Sequence, residues 1–200
     1  MRGAIRTTRT VRSVVAAAAA LAIVALAGCS SDDGIANEGD SGYVSGNRAI
    51  QEFPADERQA APSFGGTLSN GDEWTSDDHA GEVMVVNFWY AACPPCRVEA
   101  PFLAELATEY DGEVTFIGVN VRDGAAQATA FDETFGIPYE SILDADTGDA
   151  QLAFVEAGTI TPTAVPTTLV IAADGTIAAR VTGALQAASI LSTILDDELA

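Results

Sequence analysis

The chain has 200 residues, 48% of them hydrophobic, which is enough apolar material for one core-bearing domain with or without a tail and argues against wholesale disorder. Its 9 basic residues are all Arg and stand against 29 Asp+Glu, a formal net charge of −20; the clustered cations that grip phosphate backbones are missing, and no nucleic-acid partner is expected. Three Cys and a single His fall short of the four or so ligands of a closed zinc site, so no metal is expected either.

In chain order, Arg2, Arg6, Arg9 and Arg12 precede an apolar run from Val14 to Ala27. As a helix that run spans about 21 Å, short of the ~30 Å hydrocarbon core, and it has the charged and apolar regions of a signal peptide. Leu26-Ala27-Gly28-Cys29 closes it and resembles the lipobox of bacterial lipoproteins, which implies cleavage after residue 28 and a lipid on Cys29. The mature chain would keep 5 Arg against 29 acids. Anionic headgroups repel such a body, so the acyl chains must hold it to the membrane. Residues 29–61 read as a flexible tether, rich in Gly, Ser, Asp, Asn and Glu, with a short ordered stretch near Ile50 to Phe53.

The folded domain is expected over residues 62–200. An Asn70-Gly71 turn predicts a hairpin over residues 63–75. Val83 to Trp89 is an apolar run rich in β-branched residues, the mark of a strand buried on both faces. A helix follows from Pro94 to Tyr110, with Val98, Phe102, Leu103, Leu106 and Tyr110 at helical spacing. The next elements are a strand at Val114 to Val119, a helix from Ala125 to Phe135, a strand at Ser141 to Leu143 and a helix from Ala150 to Glu156. Thr167 to Ala172 and Ile177 to Thr182, joined through Asp174-Gly175, form an antiparallel hairpin, and Ala187 to Leu199 is a closing helix. Parallel strands early and antiparallel strands late predict an α/β fold with a central mixed β-sheet flanked by helices.

The chemistry concentrates at Cys93-Pro94-Pro95-Cys96, where a buried strand ends and a helix opens. With Cys93 at the helix cap and Pro94 in the first turn, the sulfur meets unpaired backbone N–H groups and the positive end of the dipole, which favours a thiolate. Cys96, one turn further in, is placed to resolve a mixed disulfide on Cys93. A metal would find three ligands at most in Cys93, Cys96 and His79, and a disulfide across so short a loop constrains the unfolded chain very little. His79 itself reads as an exposed loop residue.

From about Pro62 to Ala200 the sequence resembles the thioredoxin superfamily, and within it the membrane-anchored TlpA/ResA-like thiol-disulfide oxidoreductases. The resemblance rests on Ala61-Pro62-Ser63-Phe64, Val86-Asn87-Phe88-Trp89, Cys93-Pro94-Pro95-Cys96, Glu99, Pro101 and Val165-Pro166-Thr167. It implies a thioredoxin fold with an N-terminal β-hairpin and an inserted strand-helix segment between Val119 and Pro166. It further implies that Pro166 is a cis-proline facing the active-site disulfide, with Pro162 as the competing candidate. A proline before a strand tolerates the cis form, and the backbone at Val165 and Pro166 is then free to bind a substrate strand. Glu99 matches a glutamate that shuttles protons for the resolving thiol, although an acid early in a helix is also favoured by the dipole alone. Asn87 stands where thioredoxins proper have a buried Asp. Ala92 departs from the Trp that usually precedes the first Cys, which bears on partner specificity and reduction potential and not on the chemistry.

Together these features predict an extracytoplasmic, lipid-anchored protein disulfide reductase, monomeric and without a cofactor because the two sulfurs carry both electrons. Its partners would be the thiols and disulfides of client proteins and an integral-membrane electron donor, with cytochrome c maturation as one setting. Two rivals are a thiol peroxidase of the peroxiredoxin type, for which no Pro-x-x-x-Thr-x-x-Cys surrounds Cys93, and a Cu(I)-binding module using both thiolates.

Overall fold

A computed structural model describes residues 50–161 and 163–200. The expected signal peptide, Cys29, most of the expected tether and Pro162 lie outside them.

The described residues form eight strands and four α-helices. In chain order these are β1 (Ile50–Glu52), β2 (Gly65–Thr67), β3 (Glu73–Thr75), β4 (Val83–Trp89), α1 (Pro94–Glu109), β5 (Val114–Asn120), α2 (Ala125–Phe135), β6 (Ser141–Leu143), α3 (Asp149–Glu156), β7 (Thr167–Ile171), β8 (Ile177–Thr182) and α4 (Ala188–Leu199). Six strands make one sheet in the order β1-β8-β7-β4-β5-β6, and β2 pairs with β3 in a separate hairpin. β4, β5 and β6 run parallel, while β7, β8 and β1 join antiparallel. This is the mixed thioredoxin-like sheet, with the expected N-terminal hairpin and with α2, β6 and α3 between β5 and β7.

The alternation of β4 divides the core. Val83 and Val85 point to one face, where Leu103 and Leu106 of α1 meet Leu191, Ile194 and Leu195 of α4. Met84, Val86 and Phe88 point to the other, against Phe64, Leu68 and Phe154. Phe154 stacks edge-on against both Phe64 and Phe88, with ring centroids 4.9 and 5.3 Å away. A third cluster at the end of β4 joins Trp89, Cys93, Cys96 and Ala100 to Ala128 and Phe131 of α2. It is this cluster that places the cysteines.

Two expectations are corrected here. The helix α1 buries Cys96, Glu99, Ala100, Leu103 and Leu106, whereas Val98 lies on its outer face at 56% exposure. Residues 54–61, read as tether, belong to the folded body, together with the stretch near Ile50 to Phe53 expected to be ordered. β1 pairs Ile50 with Val181 and Glu52 with Ala179, and beyond it Phe53 N–H donates to Ala178 O and Ala61 N–H to Gly175 O. Arg58 clamps this segment by a bidentate pair with Glu198 of α4 at 2.9 and 2.6 Å, while its Nε donates to Phe53 O. The polar composition that suggests a tether comes from side chains that face water along a sheet edge.

Both edges of the six-stranded sheet are three residues long. At β6 the hairpin closes over the edge, with Leu68 bridging Ile142 and Ser69 N–H donating to Ser141 O at 3.1 Å.

Candidate active site

Cys93 is the N-cap of α1 and Pro94 its first residue, so the N–H that proline lacks is one the helix would leave unpaired. The Cys93 sulfur accepts from Cys96 N–H at 3.2 Å and Cys93 O accepts from Arg97 N–H at 3.2 Å. The cap thus presents a backbone donor to the sulfur, which lowers the cost of negative charge there. Cys93 and Cys96 are joined by a disulfide, with their Cα atoms 5.3 Å apart. In this oxidised state each residue is only 1% exposed, although Ala92, Pro94 and Pro95 around them face solvent.

Glu99 sits one turn beyond Cys96 on the same inward face. Its Oε1 accepts from Asn87 Nδ2 at 2.8 Å and its Oε2 from Leu185 N–H at 2.9 Å. Burial pushes its pKa up to about 7, against the pull of the Leu185 and Asn87 donors towards ionisation. A carboxyl so balanced gains or loses its proton near neutrality. Asn87 is itself buried on β4 and also donates to Thr168 Oγ1 at 3.0 Å, which ties the glutamate to β7.

The Val165-Pro166 peptide bond is cis, and Val165 packs against the cluster that holds the cysteines. Pro166 O accepts from Gly183 N–H at 2.8 Å. The expectation of an open backbone at Val165 meets a different arrangement. The Val165 N–H is turned to Thr163 O at 3.0 Å in this state, a local turn that a partner strand would have to replace.

Sequence reasoning passes over several of the residues at this site. Asp132 of α2 lines a cavity of about 10 Å³ together with Cys96, Asn87, Trp89, Tyr139 and Ser141, at the lower limit for holding one water. Its Oδ1 is buried without a hydrogen-bond partner among the described residues. Burial first, and then the charge of Glu140, raise its pKa to about 7. Trp89 Nε1 donates to Ser141 Oγ at 3.1 Å, across the closest approach of β5, at Gly118. Asp132, Tyr139 and Ser141 lie far along the chain from either cysteine, and no local pattern signals that they meet it. His79, expected to be exposed, is half-buried instead, stacked on Trp74 with ring centroids 5.0 Å apart and 3.0 Å from Glu82 Oε2. Among the described residues no group of three or more His, Cys, Asp or Glu is placed to hold a metal ion, and no helix is long and apolar enough to cross a membrane.

The chain is 30% identical over 126 residues to the thiol-disulfide oxidoreductase ResA of Geobacillus kaustophilus, covering 62% of this chain and 68% of that one. It is 39% identical over 111 residues to the thiol:disulfide interchange protein HelX of Rhodobacter capsulatus, covering 55% of this chain and 57% of HelX. The chain therefore spans little more than half the length of HelX. Among solved structures, a DsbF homologue from Corynebacterium diphtheriae superposes with a TM-score of 0.68 at 26% identity, over 78% of this chain and 96% of that one. The model of the AhpC/TSA family matches residues 58–180, a span that takes in both cysteines, Glu99 and Pro166, and on that match the chain belongs to the AhpC/TSA family.

Proposed function

We propose that the protein is an extracytoplasmic thiol-disulfide oxidoreductase, held at the outer face of the cell membrane by a lipid on Cys29 and working as a reductant of client disulfides, for instance in cytochrome c maturation. The observation that carries the reading is the Cys93–Cys96 disulfide at the start of α1, with a buried glutamate one turn behind it and Val165 packed against it. The resemblance to ResA and HelX supports the same class of reaction.

In the proposed cycle, the Cys93 thiolate attacks a client disulfide and expels one client thiolate, leaving Cys93 bonded to the other client sulfur. Cys96 then passes its proton towards Glu99 and attacks Cys93, so that the second client sulfur leaves and the protein disulfide closes. A membrane-embedded donor returns two electrons to the pair. Val165 and Pro166 supply the backbone against which the client strand lies.

Replacing Cys93 with Ser abolishes disulfide exchange in this reading, and Cys96→Ser accumulates a mixed disulfide visible on a non-reducing gel. An active Cys93→Ser protein overturns it. The reduction potential of the couple, measured in protein beginning after Cys29, fixes the direction. A value at or below about −220 mV supports a reductant, whereas one near the −120 mV of strong oxidants reverses the assignment. Oxidation of the dithiol by hydrogen peroxide at the rate of a free thiol separates it from a peroxidase.

A further inference from the structure

The distribution of charge around the disulfide is unlike that of the rest of the molecule. The chain carries 29 acids, yet none falls between Glu82 and Glu99, between Glu156 and Asp174, or between Asp174 and Asp196. Those three stretches supply much of the surroundings of the disulfide; the rest comes from α2 and the loop before it, which bring Phe131, Phe135, Asp123 and, in the cavity behind Cys96, Asp132. The first contains the cysteine loop, the second contains Val165 and Pro166, and the third contains Gly183 and Leu185, whose N–H groups bind Pro166 O and Glu99 Oε2.

Two of the four described arginines stand at this face. Arg97 follows Cys96 directly. Its guanidinium donates to Ala91 O at 3.3 Å and lies 4.9 Å from the ring centre of Phe135. Arg122 lies 4.2 Å over the ring of Tyr90, whose carbonyl receives the Cys93 N–H. Both arginines are exposed, and neither has a carboxylate within 4.0 Å among the described residues. The other two are spent structurally, Arg58 on Glu198 and Arg180 on Thr159 O and Gln51. The carboxylate that adjoins the pair, Asp123, is half-buried and turned inward, its Oδ2 accepting from Ala91 N–H and Asn120 Nδ2. Around the cysteines the exposed neighbours Ala92, Pro94, Pro95 and Val98 are apolar.

We propose that Arg97 and Arg122 form a cationic rim that receives client polypeptides carrying acidic residues next to their reactive cysteine. This rests on the disulfide-exchange reading above and names the client chemistry that the site selects. At about 0.15 M salt the Debye length is ~8 Å, so the distant acids of the body are screened while two arginines beside the sulfur still act on a docked segment. Aromatic rings hold both cations in place, which limits the entropy lost when a carboxylate arrives.

The test uses three cysteine peptides, each as a mixed disulfide with a small neutral thiol and identical except for Asp, Lys or Ser on both sides of the cysteine. They are reacted with the reduced protein at about 0.15 M salt. Cys93 takes the peptide sulfur, the small thiol leaves, and Cys96 then releases the peptide. The wild type is expected to prefer the Asp peptide over the Lys peptide. In Arg97→Glu/Arg122→Glu that preference inverts, the Asp-to-Lys rate ratio falling by about tenfold or more, and Arg97→Gln/Arg122→Gln falls between. The ratio is insensitive to partial loss of folded protein, because both peptides meet the same active fraction. A ratio that the double charge reversal leaves unmoved overturns the rim, even if all three rates change together. If none of the peptides, the Ser peptide included, reacts faster with the wild type than with a free thiol, the exchange reading itself fails and the rim with it.

Discussion

Glu99→Gln tests the buried carboxyl directly. Glu99 is 1% exposed and its pKa is moved from 4.5 to about 7. At about 1.36 kcal/mol per pH unit, that displacement corresponds to about 3 kcal/mol. The sign follows from proton counting. Between pH 4.5 and about 7 the folded protein keeps a proton that the unfolded chain has released, so stability is full below the unfolded value and is lost as pH rises to and through the folded one. Glutamine fits the same space. Its carbonyl can accept the Leu185 N–H while its amide meets Asn87, which can rotate to offer Oδ1 to both the new amide and the Thr168 hydroxyl. Urea denaturation of the oxidised protein from about pH 5 to about pH 9 reads the effect, with Cys96 unable to titrate in the disulfide. The gap should be under about 1 kcal/mol near pH 5 and grow in the variant's favour to about 3 kcal/mol above about pH 8. Parallel stability curves for wild type and variant would refute the burial argument.

Asp132→Asn should act in the same direction over the same pH range, with a smaller gain because the residue is only half-buried; an unchanged urea midpoint in mildly alkaline buffer removes the case for a strained carboxyl there. Gly118→Ala would push a Cβ against Ser141 Oγ and to 2.7 Å from Trp89 Nε1. It should cost about 1–3 kcal/mol and shift tryptophan emission as the Trp89 hydrogen bond is displaced, and a normal Tm with unchanged emission counts against the packing described. Arg58→Ala removes the Glu198 pair, whose side chains are 17% and 12% exposed. A loss of about 1 kcal/mol is expected, with faster hydrogen exchange at the Phe53 and Ile177 amides, and equal exchange in both proteins would mean that β1 holds the segment without the clamp.

The parts of the fold that can be read from sequence are those whose burial leaves a local pattern. β4 and β5 show as largely apolar runs rich in β-branched residues because both of their faces are covered, and Cys93-Pro94 marks the start of α1 because cap and first-turn chemistry are local. Periodicity misplaces Val98 because the buried stripe of α1 includes Cys96 and Glu99, and a polar residue on the inner face is invisible to a hydrophobic count. β1 escapes notice as a strand of the sheet because an edge strand with three exposed side chains has no alternation to detect. Asp132 leaves no trace in the sequence, since what makes it unusual is a cavity shared with Cys96 across the tertiary structure.

The short sheet edges have a consequence under the proposed function, in which the protein meets incompletely folded chains. Each such client offers unpaired strands, and an open edge on the enzyme would collect them by backbone pairing whatever their sequence. Here one edge lies under the hairpin, and the other ends in a three-residue strand that carries Glu52 outward. Under the proposed function, backbone pairing is thereby left to the turn at Val165, beside the sulfurs, so that a chain which associated with the enzyme would do so where it could react and be released.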